Sequence, residues 1–362
     1  MRVISWRLQA RHCAGIAGIV VLVSCFICLH LIGEVSRLEH ARERLETAVA
    51  KLQNNHVDIG HPRHLAATND QMELTGAGLD DGILIYNRIP KTGSTSFAGI
   101  AYDLCKRNKF HVLHVNTTKN AHILSLSDQM RFVQNITEWD SMKPAMYHGH
   151  FAYIEFGRFG AGRRPLYINV IRNPLHRLVS YYYFVRHGDD FRPYLKRRKA
   201  GNNETFDECV EKGGSDCDAE HLWLQIPFFC GQDAECWNPG SQWALEKAKQ
   251  NVLENYLLVG VTEELGDFIA VLEAVLPRYF RGAVKLYSLG RKSHLRRTAN
   301  KILPKQSSTT KVRQSFIWRM EQDFYNFVLE QFHFVKQSTF DVVNGNYVEK
   351  GNNFHYEKIR PR

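Results

Sequence analysis

Two apolar runs, Ile83-Leu84-Ile85-Tyr86 and Leu166-Tyr167-Ile168-Asn169-Val170-Ile171, each end in a polar turn that opens a helical pattern. A strand apolar along nearly its whole length is buried on both faces, and strand–turn–helix units set such strands into a parallel sheet covered by helices. The first run leads into Pro90-Lys91-Thr92-Gly93-Ser94-Thr95-Ser96 and an apolar helix over about 95–105. The second leads into Arg172-Asn173-Pro174, where Asn173 suits a helix N-cap and Pro174 the first helical position; that helix runs through Leu178 toward Val185. Further helical patterns fall at 244–254, 264–276 and 315–332. The sequence therefore predicts an α/β body with a parallel sheet, occupying 81–362.

The chain ahead of that body reads differently. Residues 13–33 carry no charge and are long enough to cross a bilayer as a helix. Arg2, Arg7 and Arg11 precede them, which keeps a 1–12 tail cytoplasmic and puts the rest in the lumen, as a single-pass type II protein. A cleaved signal peptide is the competing reading. In the 34–80 stem and linker, Leu38, Leu45 and Leu52 continue a seven-residue spacing begun at Leu31, so a coiled coil is expected over about 34–53. Glycosylation sequons begin at Asn116, Asn135 and Asn203. Of eight cysteines, Cys209, Cys217, Cys230 and Cys236 cluster. In an oxidising lumen nearest neighbours would pair, Cys209–Cys217 and Cys230–Cys236, as one of three possible connectivities. Zinc is disfavoured because no CxxC pair is present, and Cys105 is expected to be a buried free thiol.

The loop Lys91, Thr92, Gly93, Ser94, Thr95 and Ser96 joins a buried strand to a helix N-terminus, where backbone N–H groups and the helix dipole favour an anion. A Walker loop would need a leading glycine and a Gly-Lys-Ser/Thr order, both missing; an ordinary polar turn is the bland alternative. Arg172 offers a second cation at a strand end, and Ser180 follows it by about two helical turns. Together these suit a ligand with two anionic groups. His148 and His150 lie two apart in an expected strand and so share a face. Metal ligation, plain structural histidines and proton removal near neutral pH all remain open for them. The net charge of +10 calls for an anionic partner, whether nucleic acid, lipid or acidic polysaccharide.

The Pro90–Ser96 loop and the segment Ile171-Arg172-Asn173-Pro174-Leu175-His176-Arg177-Leu178-Val179-Ser180-Tyr181-Tyr182 resemble the two cofactor motifs of Golgi carbohydrate sulfotransferases. With Met146-Tyr147-His148-Gly149-His150-Phe151 and the C-terminal Phe354-His355-Tyr356-Glu357-Lys358-Ile359, the pattern is similar to the heparan sulfate 2-O-sulfotransferases from the anchor onward. This resemblance implies a sulfotransferase fold, P-loop-like, with 3′-phosphoadenosine 5′-phosphosulfate (PAPS) as sulfuryl donor, heparan sulfate as acceptor and no metal. It implies His150 as general base, His148 as its partner and Lys91 as the cation on the departing oxygen. Ser293, Thr298 and Lys301 are then further PAPS contacts. Arg88, Tyr102, His114, Asn120, Tyr181, Asp189, Arg192, Arg197 and Arg296 are acceptor contacts. A homotrimer in the Golgi membrane, working beside other heparan sulfate-modifying enzymes and without nucleic acid, also follows from it. Rival readings are a dermatan or chondroitin uronyl 2-O-sulfotransferase, a glycosyltransferase using Asp216-Cys217-Asp218 as a metal motif, and a non-catalytic polysaccharide binder.

Overall fold

The computed structural model describes residues 82–162, 164–290, 297–343 and 346–351. The expected tail, anchor and coiled-coil stem lie outside the described residues, as do Ser293, Arg296 and the side chain of Asn120. Among the described residues no helix is long and apolar enough to cross a membrane.

In chain order the elements used below are β1 (Ile83–Asn87), α1 (Ser94–Cys105), β2 (His111–Val115), α2 (Leu126–Glu138), β3 (Ala145–Gly149), β4 (Leu166–Ile171), α3 (Pro174–His187), α4 (Phe206–Lys212), α5 (Gln225–Cys230), α6 (Gln242–Asn255), β5 (Tyr256–Val261), α7 (Leu265–Val275), α8 (Pro277–Phe280), α9 (Ala283–Ser288), α10 (Gln306–Arg313), α11 (Phe316–Thr339), β6 (Phe340–Val343) and β7 (Asn346–Glu349). The first five strands form one parallel sheet in the order β2-β3-β1-β4-β5, and β6 and β7 make a separate antiparallel pair. From β1 the chain builds to one side through β2 and β3, then crosses to the other through β4 and β5. That reversal opens a crevice at the carboxyl ends of β1, β3 and β4, where open α/β sheets bind ligands.

Strand alternation divides the interior into two cores. Ile83, Ile85, Tyr147, Tyr167 and Val259 meet α5, α6 and the start of α11 on one face. Leu84, Tyr86, Met146, Ile168 and Leu258 meet α1, α7 and α8 on the other. This two-sided burial is why the strands read as continuous apolar runs. Phe97 anchors α1: it is fully buried, with ring centroids of Tyr86, Phe268 and Phe280 at 5.0, 5.4 and 5.5 Å. It directly follows the 90–96 loop, so its packing fixes where that loop sits; truncating it to alanine would cost about 3–5 kcal/mol.

A third cluster joins Leu178 and Tyr182 of α3 to Phe206, Cys209, Cys217 and Leu222. Both expected disulfides are present, Cys209–Cys217 and Cys230–Cys236. The Cys105 thiol is free but only half-buried, against the expectation of full burial, and donates to the Tyr102 carbonyl at 3.1 Å. Helix α11 is 24 residues long and outlasts the expected 315–332 pattern, because Phe332 and Val335 continue its apolar stripe onto the second core.

Candidate active site

Three strand ends converge on the crevice. After β1 the chain turns sharply, with Lys91 at φ +71° and Gly93 at φ +73°, both left-handed. Glycine suits such a φ; lysine there is held by its surroundings. The Lys91 ammonium donates to Thr298 Oγ1 at 3.0 Å and lies 4.1 Å from the Phe184 ring centroid. Thr298 Oγ1 is also 3.3 Å from Ser180 Oγ. Lys91, Ser180 and Thr298, distant in sequence, therefore meet at one point. The 297–299 segment is strapped to α3's end: Asp190 N donates to Arg297 O, Arg297 N to Asp190 Oδ1 and Ala299 N to Gly188 O.

Arg172 joins the two turns by donating from Nη1 to the Lys91 carbonyl at 3.1 Å. Its Nε is buried without a hydrogen-bond partner among the described residues. Burial and then the Arg172 charge hold the Lys301 ammonium below its usual range. Cations gathered this closely suit an anionic ligand. Thr92 is fully buried and donates its hydroxyl to Ile89 O; Ser94 and Ser96 are buried and Thr95 half-buried at the start of α1.

Sequence reasoning missed the supports beneath these turns. Gln225, fully buried, accepts from Arg172 N at 2.8 Å through Oε1 and donates to Glu321 Oε2 at 3.2 Å. Glu321, also fully buried, accepts from Leu224 N and Ile226 N. Thr262 Oγ1 lies 2.9 Å from both Thr92 O and Ile171 O and can donate to one at a time, so it ties the two turns together. None of these residues carries a local motif; only the fold joins them.

His148 lies inside β3 and His150 one residue past its end at Gly149, and the two rings are close enough for the His150 charge to be felt at His148. Gly149 between them allows a close approach of β2: a Cβ there would stand 2.5 Å from the Val115 carbonyl oxygen. His148 is buried, pairs through Nε2 with Tyr102 Oη at 2.9 Å, and stacks on His114 at 4.9 Å. His150 donates Nδ1–H to the Arg88 carbonyl at 2.7 Å. A carbonyl can only accept, so in the neutral ring Nε2 carries the free lone pair. Burial first, then the Arg88 charge, lowers both His148 and His150 to about 3. Arg88 Nη2 lies 3.4 Å from His114 Nε2, and burial with Arg88 and Arg192 holds His114 below its usual range. Arg88, Tyr102, His114, His148 and His150 thus form one group.

The expected acceptor residues of the 181–197 stretch behave differently. The Asp189 carboxylate is buried; it accepts from Arg192 N at 2.9 Å and from Arg197 Nη2 at 3.2 Å. Asp189 is therefore engaged in holding the segment that bears both arginines. Arg192 is exposed, Tyr181 half-buried, and Arg197 stands 4.4 Å from the Phe184 centroid. Asp216, part of the metal motif that the rival glycosyltransferase reading would use, pairs with Arg186 at 2.7 Å and with Lys199. Among the described residues no group of three or more His, Cys, Asp or Glu side chains is set to hold a metal ion. Asn116, Asn135 and Asn203 are all exposed.

Residues 80–328 match the sulfotransferase family. The chain is 54% identical to Heparan sulfate 2-O-sulfotransferase 1 of Gallus gallus, covering 95% of this chain and 96% of that protein. Against the protein of the same name from Homo sapiens it is 52% identical with the same coverage. It is 50% identical to Heparin sulfate O-sulfotransferase of Drosophila melanogaster, over 88% of this chain and 89% of the relative.

Proposed function

This chain belongs to the sulfotransferase family, and from that premise we propose that it transfers a sulfuryl group from PAPS to the 2-hydroxyl of iduronic acid, and less readily glucuronic acid, in heparan sulfate. The observation that carries this reading is the His150 ring: Nδ1–H is committed to the Arg88 carbonyl, and Nε2 is left as a base. An imidazole kept neutral by burial is ready to accept the hydroxyl proton.

PAPS supplies the sulfuryl group when bound and leaves as the 3′,5′-bisphosphate. Lys91, held by Thr298 and Phe184, is the cation for the charge that builds on the departing oxygen. The α1 N-terminus with Thr92, Gly93, Ser94, Thr95 and Ser96 cradles the phosphosulfate end, and Arg172, Ser180, Thr298 and Lys301 take the second phosphate. Arg88, Tyr102 and His114, with Arg192 and Arg197 oriented by Asp189, meet the acceptor's carboxylate and sulfates. His148 steadies this group through Tyr102 and His114. The same reading has residues 13–33 anchoring a homotrimer in the Golgi membrane with its body in the lumen, supported by Arg2, Arg7 and Arg11 ahead of that run.

The test is labelled PAPS with N-sulfated heparan precursor and, separately, dermatan sulfate, followed by disaccharide analysis. Label in 2-O-sulfated uronate from the heparan reaction is expected. Product from dermatan alone would overturn the heparan acceptor and keep the sulfuryl transfer.

A further inference from the structure

His150 sits past the end of its strand, so the β-ladder does not hold it. Its segment is instead gripped by residues that the transfer reaction does not use. His122 donates Nδ1–H to the His150 carbonyl at 3.0 Å, and Ala152 N donates back to the His122 carbonyl at 2.9 Å. Gln232 spans the gap between the same two stretches. Its Nε2 donates to Ala152 O at 2.8 Å and its Oε1 accepts from Leu124 N at 2.8 Å. A glutamine used at both ends of its amide locks two backbone segments at a fixed separation.

Gln232 is itself fixed. It lies inside the short loop closed by Cys230–Cys236. Gly231 takes φ +124°, and a Cβ there would come within 3.2 Å of the Tyr153 carbonyl, so the loop presses directly onto the 150–153 segment. Trp237 returns to the loop by donating Nε1–H to Gly231 O at 3.1 Å. The His122 ring lies against Phe228, 4.9 Å between centroids, and stacks on Trp237 at 6.0 Å. The disulfide loop, His122 and the His150 segment are therefore one packed unit.

We propose that His122 and Gln232 are positioning residues for the transfer reaction, clamping the chain at and just after His150 so that its ring keeps the Arg88 carbonyl contact. This rests on the reading of His150 as the general base. The disulfide then has a task near the chemistry, since it presents Gln232 at the distance the clamp needs.

The test uses the full chain carrying His122→Ala, His122→Asn, Gln232→Ala or Gln232→Glu, with His150→Ala alongside. Rates, the KM for PAPS, affinity for the desulfated nucleotide and thermal stability are measured for each. Loss of either clamp residue should lower kcat about tenfold or more, because small misplacements of a reacting group cost up to about 100-fold. KM for PAPS and nucleotide affinity should hold. His122→Asn should recover most of the rate, because its amide N–H can replace the Nδ1 donor; a ring needed only for stacking would not be rescued. Gln232→Glu is the variant closest in shape, keeping the acceptor for Leu124 N and losing the donor to Ala152 O, so it should lose rate while staying folded. Unchanged kcat in the alanine variants, with His150→Ala inactive, overturns the clamp alone. A rate loss that Asn does not rescue and that tracks thermal stability also overturns it. Near-normal turnover by His150→Ala instead overturns the base assignment.

Discussion

His150 donates its Nδ1–H to the Arg88 carbonyl oxygen at 2.7 Å, and the Arg88 charge also helps hold that ring neutral. One arginine thus sets the tautomer through its backbone and, through its side-chain charge, adds to the burial that keeps the ring neutral.

The first expectation is a pH profile. His150 is lowered to about 3, so the acid limb it contributes to kcat/KM should fall far below the ordinary imidazole range. Arg88→Ala removes one cause of the shift and should move that limb upward. Steady-state rates from pH 3 to 8 decide the matter; a limb near 6.5 in the unaltered protein would overturn it. Stability should respond in the same direction. His148 and His150 titrate near 6.5 once unfolded and near 3 when folded. The unfolded chain then takes up more protons, and stability falls as pH drops from about 6.5 toward 3. Melting temperature against pH measures this.

Lys91 offers a way to separate folding from chemistry. At φ +71° it sits in a conformation that costs a non-glycine residue about 1–2 kcal/mol. Lys91→Gly should fold at least as well as the parent while losing a charge-assisted contact of about 1.5–3 kcal/mol from turnover. Calorimetric melting beside an activity assay tests both halves; full activity in the folded variant would remove Lys91 from the mechanism.

Asp216 should matter for both stability and the acceptor. It pairs with Arg186, whose side chain is 1% exposed, and with Lys199, two residues beyond the expected acceptor contact Arg197. Asp216→Asn leaves Arg186 with Glu204 at 3.6 Å as its ion-pair partner. The expected cost is about 3 kcal/mol, the low end for breaking a buried pair. With Lys199 released, KM for the polysaccharide should rise while that for PAPS stays put.

Arg197→Ala should act on acceptor use. It takes a charge from Asp189, whose side chain is fully buried, and a cation from Phe184. Turnover should fall, or the iduronate-to-glucuronate preference change, with nucleotide affinity intact. Calorimetry with the desulfated nucleotide and disaccharide analysis of the products read the two effects separately.

The catalytic end was legible in the sequence wherever local rules govern. Continuous apolar strands, Asn173 and Pro174 at a helix start, and the Lys91 and Arg172 turns all announce themselves within a few residues. Cysteine clustering likewise gave the observed pairing. What escaped depends on contacts between distant parts of the chain. Thr262 binds turns after β1 and β4, Gln225 links Arg172 to Glu321, and Gln232 reaches across to Leu124 and Ala152. A polar residue buried by the fold has no periodicity to betray it. The end of β3 at Gly149, one residue short of His150, was likewise not legible, because nothing local marks it.

Helix α11 contributes Met320, Phe324, Tyr325 and Val328 to one core and Phe332 to the other. Neither side of the sheet can then melt while the opposite side stays packed, because a single rod would have to be folded and unfolded at once. Heat should therefore take the two cores apart in one cooperative step. A cavity cut at Phe324 should lower the same transition temperature as a cavity cut at Phe332.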